Sequence, residues 1–262
     1  MKGLFPPSDF SWSMRMRRES AEQFFAPQDR SGKLLAQKRH WLETRPELCL
    51  AATGSADRLT EQCRELALNW GHIPADLAPG LASLSSQWEA DLIFMDGETT
   101  HLSGGCVCFP SSWSLQESVG VSLFDVHNRV PGLNAAIGDK IRTFLANLSP
   151  GKAFFRENWG ITRTSELNYH PELKRKPLDH TINAESAFLR IEHQCFVKLQ
   201  GGILLAVRIE PVGFPELVKN APETATQLLR QLRTMPPEVA EYKSLTQGLD
   251  RAVQILDQLL AH

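Results

Sequence analysis

Phe188-Leu189-Arg190-Ile191-Glu192-His193-Gln194-Cys195-Phe196-Val197 runs through Gln200-Gly201-Gly202 into Ile203-Leu204-Leu205-Ala206-Val207-Arg208-Ile209. Leu189, Ile191, Cys195, Val197 and Leu199 are apolar, whereas Arg190, Glu192 and Gln194 between them are polar. Side chains of a strand point alternately to its two faces, so this alternation predicts a strand with one packed and one polar face. The glycine pair predicts a tight turn, and therefore an antiparallel hairpin with the apolar run that follows. His193 falls on the apolar side of the first strand, where a lone histidine reads first as a hydrogen-bonded core residue.

Working outward, residues 153–159 predict a preceding strand on which Arg156 and Asn158 share a face. Two readings stay open at this point. If the polar faces coincide, two guanidinium groups, a carboxylate and two amides meet in a cavity, where charges must be paired or solvated. Otherwise they form a solvated, cross-strand-paired row. Leu92-Ile93-Phe94-Met95, the turn Asp96-Gly97 and Gly104-Gly105-Cys106-Val107-Cys108-Phe109 predict an earlier hairpin. Helical periodicity covers 33–45, 57–71, a short piece at 114–119, and 133–148, whose apolar face includes Ile137, Ile141 and Phe144. Residues 74–86 read as a proline-containing connection, 1–32 as an aromatic and basic arm, and 164–184 as a long polar loop with Lys174-Arg175-Lys176 as a docking surface for an acidic partner. Helices, two strands, helices, three strands and helices predict an α+β fold. Its sheet is expected to be antiparallel, five-stranded and PAS-like over 91–212, with N-terminal (1–90) and C-terminal (213–262) helical extensions in one structural unit.

The chain has 262 residues, 42% hydrophobic and 22% charged, with a formal net charge of -2. That balance disfavours nucleic acid and anionic membranes as partners. No apolar run approaches the ~20 residues of a membrane span, and Pro6-Pro7 interrupts the apolar start a signal peptide would need. The expectation is a cytoplasmic protein. Its five cysteines include a C-x-C, Cys106-Val107-Cys108, with no second pair, so they read as buried reduced thiols rather than a zinc site.

Nucleophile-elbow, phosphate-loop, dinucleotide and H-E-x-x-H signatures are absent from the sequence. His127 is fenced by Val130-Pro131-Gly132 just before the amphipathic helix at 133–148. A neutral imidazole held there is either a structural residue or the single protein ligand that a haem iron requires. Phe124, Ile137, Ile141, Phe144 and Trp159 would supply the apolar slot.

Taken together, Phe10-Ser11-Trp12-Ser13-Met14, Phe109-Pro110-Ser111-Ser112-Trp113, Val126-His127 with Val130-Pro131-Gly132, Arg156-Glu157-Asn158-Trp159, Leu189-Arg190-Ile191-Glu192-His193-Gln194 and Tyr242-Lys243 resemble the α subunit of haem-dependent oxidative N-demethylase. The resemblance implies a PAS-like domain holding haem b. It implies a separate reductase subunit carrying FMN and a [2Fe–2S] cluster and using NADPH. It also implies oxygen activation at iron and removal of a methyl group from a small secondary amine, such as dimethylamine, as formaldehyde. By position, His127 becomes the axial iron ligand, with His193 as rival, and Pro131, Trp159, Phe144 and Ile141 join it around the cofactor. Glu192, Arg190 and Arg156 become the catalytic candidates, the first for an ammonium and the arginines for reduced oxygen.

The chain departs from the family pattern at three places. Arg129 stands where a proline is usual, His193 where an arginine is usual, and Glu117-Ser118 replaces a glutamate–lysine pair. A gas-binding haem sensor without turnover, or a haem-free domain acting through a partner surface, are the competing readings.

Overall fold

The computed structural model describes residues 4–261. Strand β1 (Arg17–Glu19) and helix α1 (Ala21–Phe25) lie within the N-terminal arm; α2 (Lys33–Thr44), α3 (Pro46–Cys49), β2 (Leu50–Ala52), α4 (Ser55–Asn69) and α5 (Leu81–Ser85) come next. The first hairpin is β3 (Asp91–Asp96) and β4 (Leu102–Cys106). Then come α6 (Leu123–Asn128), α7 (Leu133–Ala146), β5 (Ala153–Thr162), β6 (Phe188–Leu199) and β7 (Gly202–Gly213). Four helices close the chain: α8 (Phe214–Asn220), α9 (Pro222–Thr234), α10 (Pro237–Tyr242) and α11 (Leu249–Leu260).

All strands join one antiparallel sheet in the order β1-β5-β6-β7-β3-β4-β2. The α+β class holds, but the five-stranded PAS-like expectation is corrected: the sheet has seven strands. The two extra members are three-residue edge strands drawn from the arm and from the segment after Pro46. Strands that short carry no alternation to read; the free backbone groups of β5 and β4 recruit them. Two smaller expectations also change. Residues 114–119 form turns rather than a helix, and the 74–86 connection contains α5.

The sheet is packed on both faces. Leu133, Ile137, Ile141 and Leu145 of α7 pack on Ile93, Met95, Phe196 and Ile203, and Leu59 and Cys63 of α4 pack on Leu92, Phe94, Val197 and Leu204. This explains why β3 is buried from Asp91 to Met95 with no alternation. The C-terminal helices cover the far ends of β5–β7, where Ile161, Leu189, Ile191 and Val212 meet Phe214, Leu228 and Leu256. Gly201, at a left-handed φ of 74°, closes the β6–β7 hairpin as its sequence predicts.

The five cysteines are buried and unbridged. Cys106 and Cys108 have their sulfurs 3.8 Å apart, beside the fully buried Lys38–Asp91 ion pair of 3.3 Å. Asp91 also accepts the amides of Cys108 and Phe109 at 3.0 and 2.8 Å, which anchors the chain leaving β4. Among the described residues no helix is long and apolar enough to cross a membrane.

Candidate functional site

Two cavities share the sheet face beneath α6 and α7. The smaller, of about 200 Å³, is an apolar slot walled by Trp12, Met14, Ile137, Ile141 and Phe144, with His127 and Arg156 also on its surface. The larger, of about 400 Å³, holds Ser111, Trp113, Arg129, Trp159, Arg190 and Glu192. Leu123, Asn158, Leu205, Tyr242 and Lys243 line both, so the slot and the chamber adjoin across these five side chains.

His127 is placed by local structure. Ser122 caps α6 by accepting the amide of Asp125 at 3.1 Å, and His127 lies in the last turn of that six-residue helix. Pro131 and Gly132 then turn the chain into α7, and Trp12 of the arm donates to the Pro131 carbonyl at 2.9 Å. Nδ1 of His127 is enclosed and has no hydrogen-bond partner among the described residues. Burial, with a smaller push from Arg156, lowers the His127 pKa to about 4, so the ring is neutral at physiological pH. An orphaned buried nitrogen costs about 1–3 kcal/mol unless something takes it up. A neutral imidazole with an open nitrogen on an apolar slot is the donor a haem iron accepts, so the chemistry of this donor fits that cofactor.

The chamber is built around a carboxylate. Glu192 Oε1 accepts from Ser111 Oγ at 2.6 Å, and Oε2 accepts from Asn158 and Gln194, each at 3.0 Å. The register pairs Asn158 with Glu192 and Arg156 with Gln194 across β5 and β6. The polar faces therefore coincide, as one of the two readings of the alternation required.

Arg190 proves to be a clamp. It is 2% exposed, donates from Nε to Ser111 Oγ at 2.8 Å, and donates from Nη2 to the carbonyls of Phe109 and Leu167 at 2.8 Å each. It thereby fixes Ser111, and through it Glu192, which gives the Phe109–Trp113 motif a physical purpose. Arg156 differs: its Nε is enclosed without a partner, and burial lowers its pKa against the opposing pull of Glu192 and Glu157.

The other expected residues divide between the two spaces. Ile141 and Phe144 line the slot, whereas Trp159 lines the chamber. Pro131 lines neither and serves as the anchor of Trp12. His193 is on the opposite sheet face, with Nε2 2.7 Å from Glu210 and Nδ1 3.8 Å from Glu157. Burial alone would lower its pKa, but these two carboxylates raise it. A ring so engaged faces away from His127, and its strand position on the apolar side is the reason.

Sequence reasoning left Ser111, Trp113 and Lys243 without roles. Lys243 donates to the Trp159 carbonyl at 2.7 Å and lies 4.9 Å from that ring's centre. Burial lowers its pKa to about 8, with Glu192 opposing and Arg156 reinforcing the shift. No local pattern marks a lysine that comes to a cavity from the end of a C-terminal helix; only its place in the short Tyr242-Lys243 motif singled it out.

The fold and these cavities define an α+β protein with a one-imidazole apolar slot beside an acid-bearing chamber. Residues 60–253 match the family described as haem-dependent oxidative N-demethylase, alpha subunit-like. The match spans well over half of the chain, and the chain belongs to this family. The family is haem-dependent by description, and an alpha subunit implies a partner subunit.

Proposed function

We propose that this protein is the haem-carrying subunit of an oxidoreductase that demethylates a small amine. The observation that carries this reading is the junction of the two cavities: an unpartnered His127 nitrogen on the slot, and a Glu192 carboxylate fixed by three donors in the chamber next to it. His127 would hold the iron, with Ile141 and Phe144 against the cofactor. Haem supplies oxygen activation when bound. In the overall balance an N-methyl amine, dioxygen, two electrons and two protons give the N–H amine, formaldehyde and water. The bond between nitrogen and the methyl carbon breaks, one oxygen atom leaves in formaldehyde and the other in water. The two electrons come from a partner reductase carrying FMN and a [2Fe–2S] centre and using NADPH in the cytoplasm.

The chain's own residues bind and orient. Glu192 pairs with the substrate ammonium by accepting its N–H groups at Oε, while Ser111, Asn158 and Gln194 keep the carboxylate in place. Arg156, buried and unpaired, offers a cation toward negative charge developing at the slot. Lys243, with a pKa near neutrality at the junction, can give up and regain a proton there. Trp12, Trp113 and Trp159 limit water around these groups.

The purified chain reconstituted with haemin is expected to show a Soret band that His127→Ala abolishes or weakens greatly. Stoichiometric haem with an unchanged spectrum in that variant rejects His127 as ligand. Formaldehyde release from amine, oxygen and a reductant is the expected activity; ligand binding without product would point to a sensor instead.

A further inference from the structure

The chamber is larger than a dialkylamine such as dimethylamine requires. Its volume of about 400 Å³ lies in the ~300–1,000 Å³ range of sites for drug-sized ligands. Beside Glu192 it presents cations, of which Arg190 and Lys243 already donate to protein carbonyls. Arg129, at the C-terminus of α6, lines the same chamber and is exposed at its edge. Among the described residues no carboxylate lies within ion-pair distance of it, as is also true of the exposed Arg30 and Arg142. Tyr242 lines the chamber together with Arg129 and Glu192.

We propose that the substrate is an N-methylated amino acid, its ammonium on Glu192 and its carboxylate on Arg129, with the chain between them lying along Tyr242. This rests on the amine-oxidation reading above and narrows its substrate class to zwitterions. Glu117 also lines the chamber. A diamine bridging Glu192 and Glu117 is the rival that the test must separate.

Trp113 and Trp159 line the chamber, so intrinsic fluorescence of the protein, checked by calorimetry, reads binding without turnover. The probes are dimethylamine, 4-(methylamino)butyrate and N-methyl-1,4-diaminobutane. The expected result is that the zwitterion binds about tenfold or more tighter than either other probe, the scale of one charge-assisted hydrogen-bond pair. Arg129→Gln should erase that preference and Arg129→Lys retain part of it, while Glu192→Gln should weaken all three probes. Circular dichroism of each variant separates lost contacts from lost fold.

Dimethylamine binding as tightly as the zwitterion, a preference that survives Arg129→Gln, or the diamine binding tightest would each overturn the proposal and leave the amine-oxidation reading standing. No amine binding at all, or binding indifferent to Glu192→Gln, would overturn both.

Discussion

Lys243 shows how a single residue's burial becomes measurable. Its pKa near 8 is below the ordinary lysine value of 10.5, so between those two pH values the unfolded chain binds more protons than the folded one. Stability contributed by this group therefore rises with pH from about 8 to 10.5, and the burial penalty is fully present below 8. Lys243→Met keeps the packing over Trp159 without the charge. Urea titrations at about pH 7.5 and about pH 10 should show the wild-type rise flattened in the variant, and an unchanged slope would contradict the assignment. At this scale much was legible. The alternation of β6 placed Arg190, Glu192 and Gln194 on one face, and His127 stood out by its fence of Val130, Pro131 and Gly132. What alternation cannot tell is which cation is already committed. Arg190 and Arg156 read alike in sequence, yet the first is spent on backbone carbonyls and a serine, and the second is unpartnered at Nε.

Among the elements, β4 is the most tightly constrained, because it is squeezed between β3 and β2. A Cβ at Gly105 would lie 2.1 Å from the Leu92 carbonyl oxygen, and one at Gly104 would lie 2.6 Å from the Cα of Ala52. Both obstacles are backbone, which cannot swing aside. Gly105→Ala is expected to destabilise the fold by at least ~3 kcal/mol, the upper range for core overpacking. Equilibrium denaturation measures it, and a loss under about 1 kcal/mol would show that the strands can part. The two hairpins and the long helices α2, α4 and α7 were readable because each carries several repeats of its period. The three-residue β1 and β2 were not, and the periodicity at 114–119 misled because too few residues defined it. There Ser118 Oγ donates to the Ser114 carbonyl and side chains sustain turns instead.

Across the whole molecule, side chains far apart in sequence lock the sheet edge. Arg17 of β1 donates to both oxygens of Glu157 on β5, at 2.7 and 2.6 Å, and Glu157 in turn meets His193 on β6, which meets Glu210 on β7. His193 beside it, opposed by burial and reinforced by Arg17, holds the Glu157 pKa at about 2, below its ordinary 4.5. A carboxylate with a depressed folded pKa contributes stability above about 4.5 and loses it as pH falls toward 2. Arg17→Ala should thus raise the pH of acid unfolding, followed by circular dichroism from about pH 5 to about pH 2; coincident acid transitions in both proteins would refute the linkage.

The sequence by itself determined the α+β class, the polar face of β6, and the family to which the chain belongs, because strand and helix periods and short motifs are local properties. Only the tertiary structure decided that the polar faces of β5 and β6 coincide, that His193 faces away from His127, that Arg190 is a clamp, and that Lys243, Tyr242 and Arg129 reach the same space as Glu192. Those facts depend on which buried donors find partners once distant segments pack. A side chain's partner is set by the closed fold, not by its neighbours in the chain.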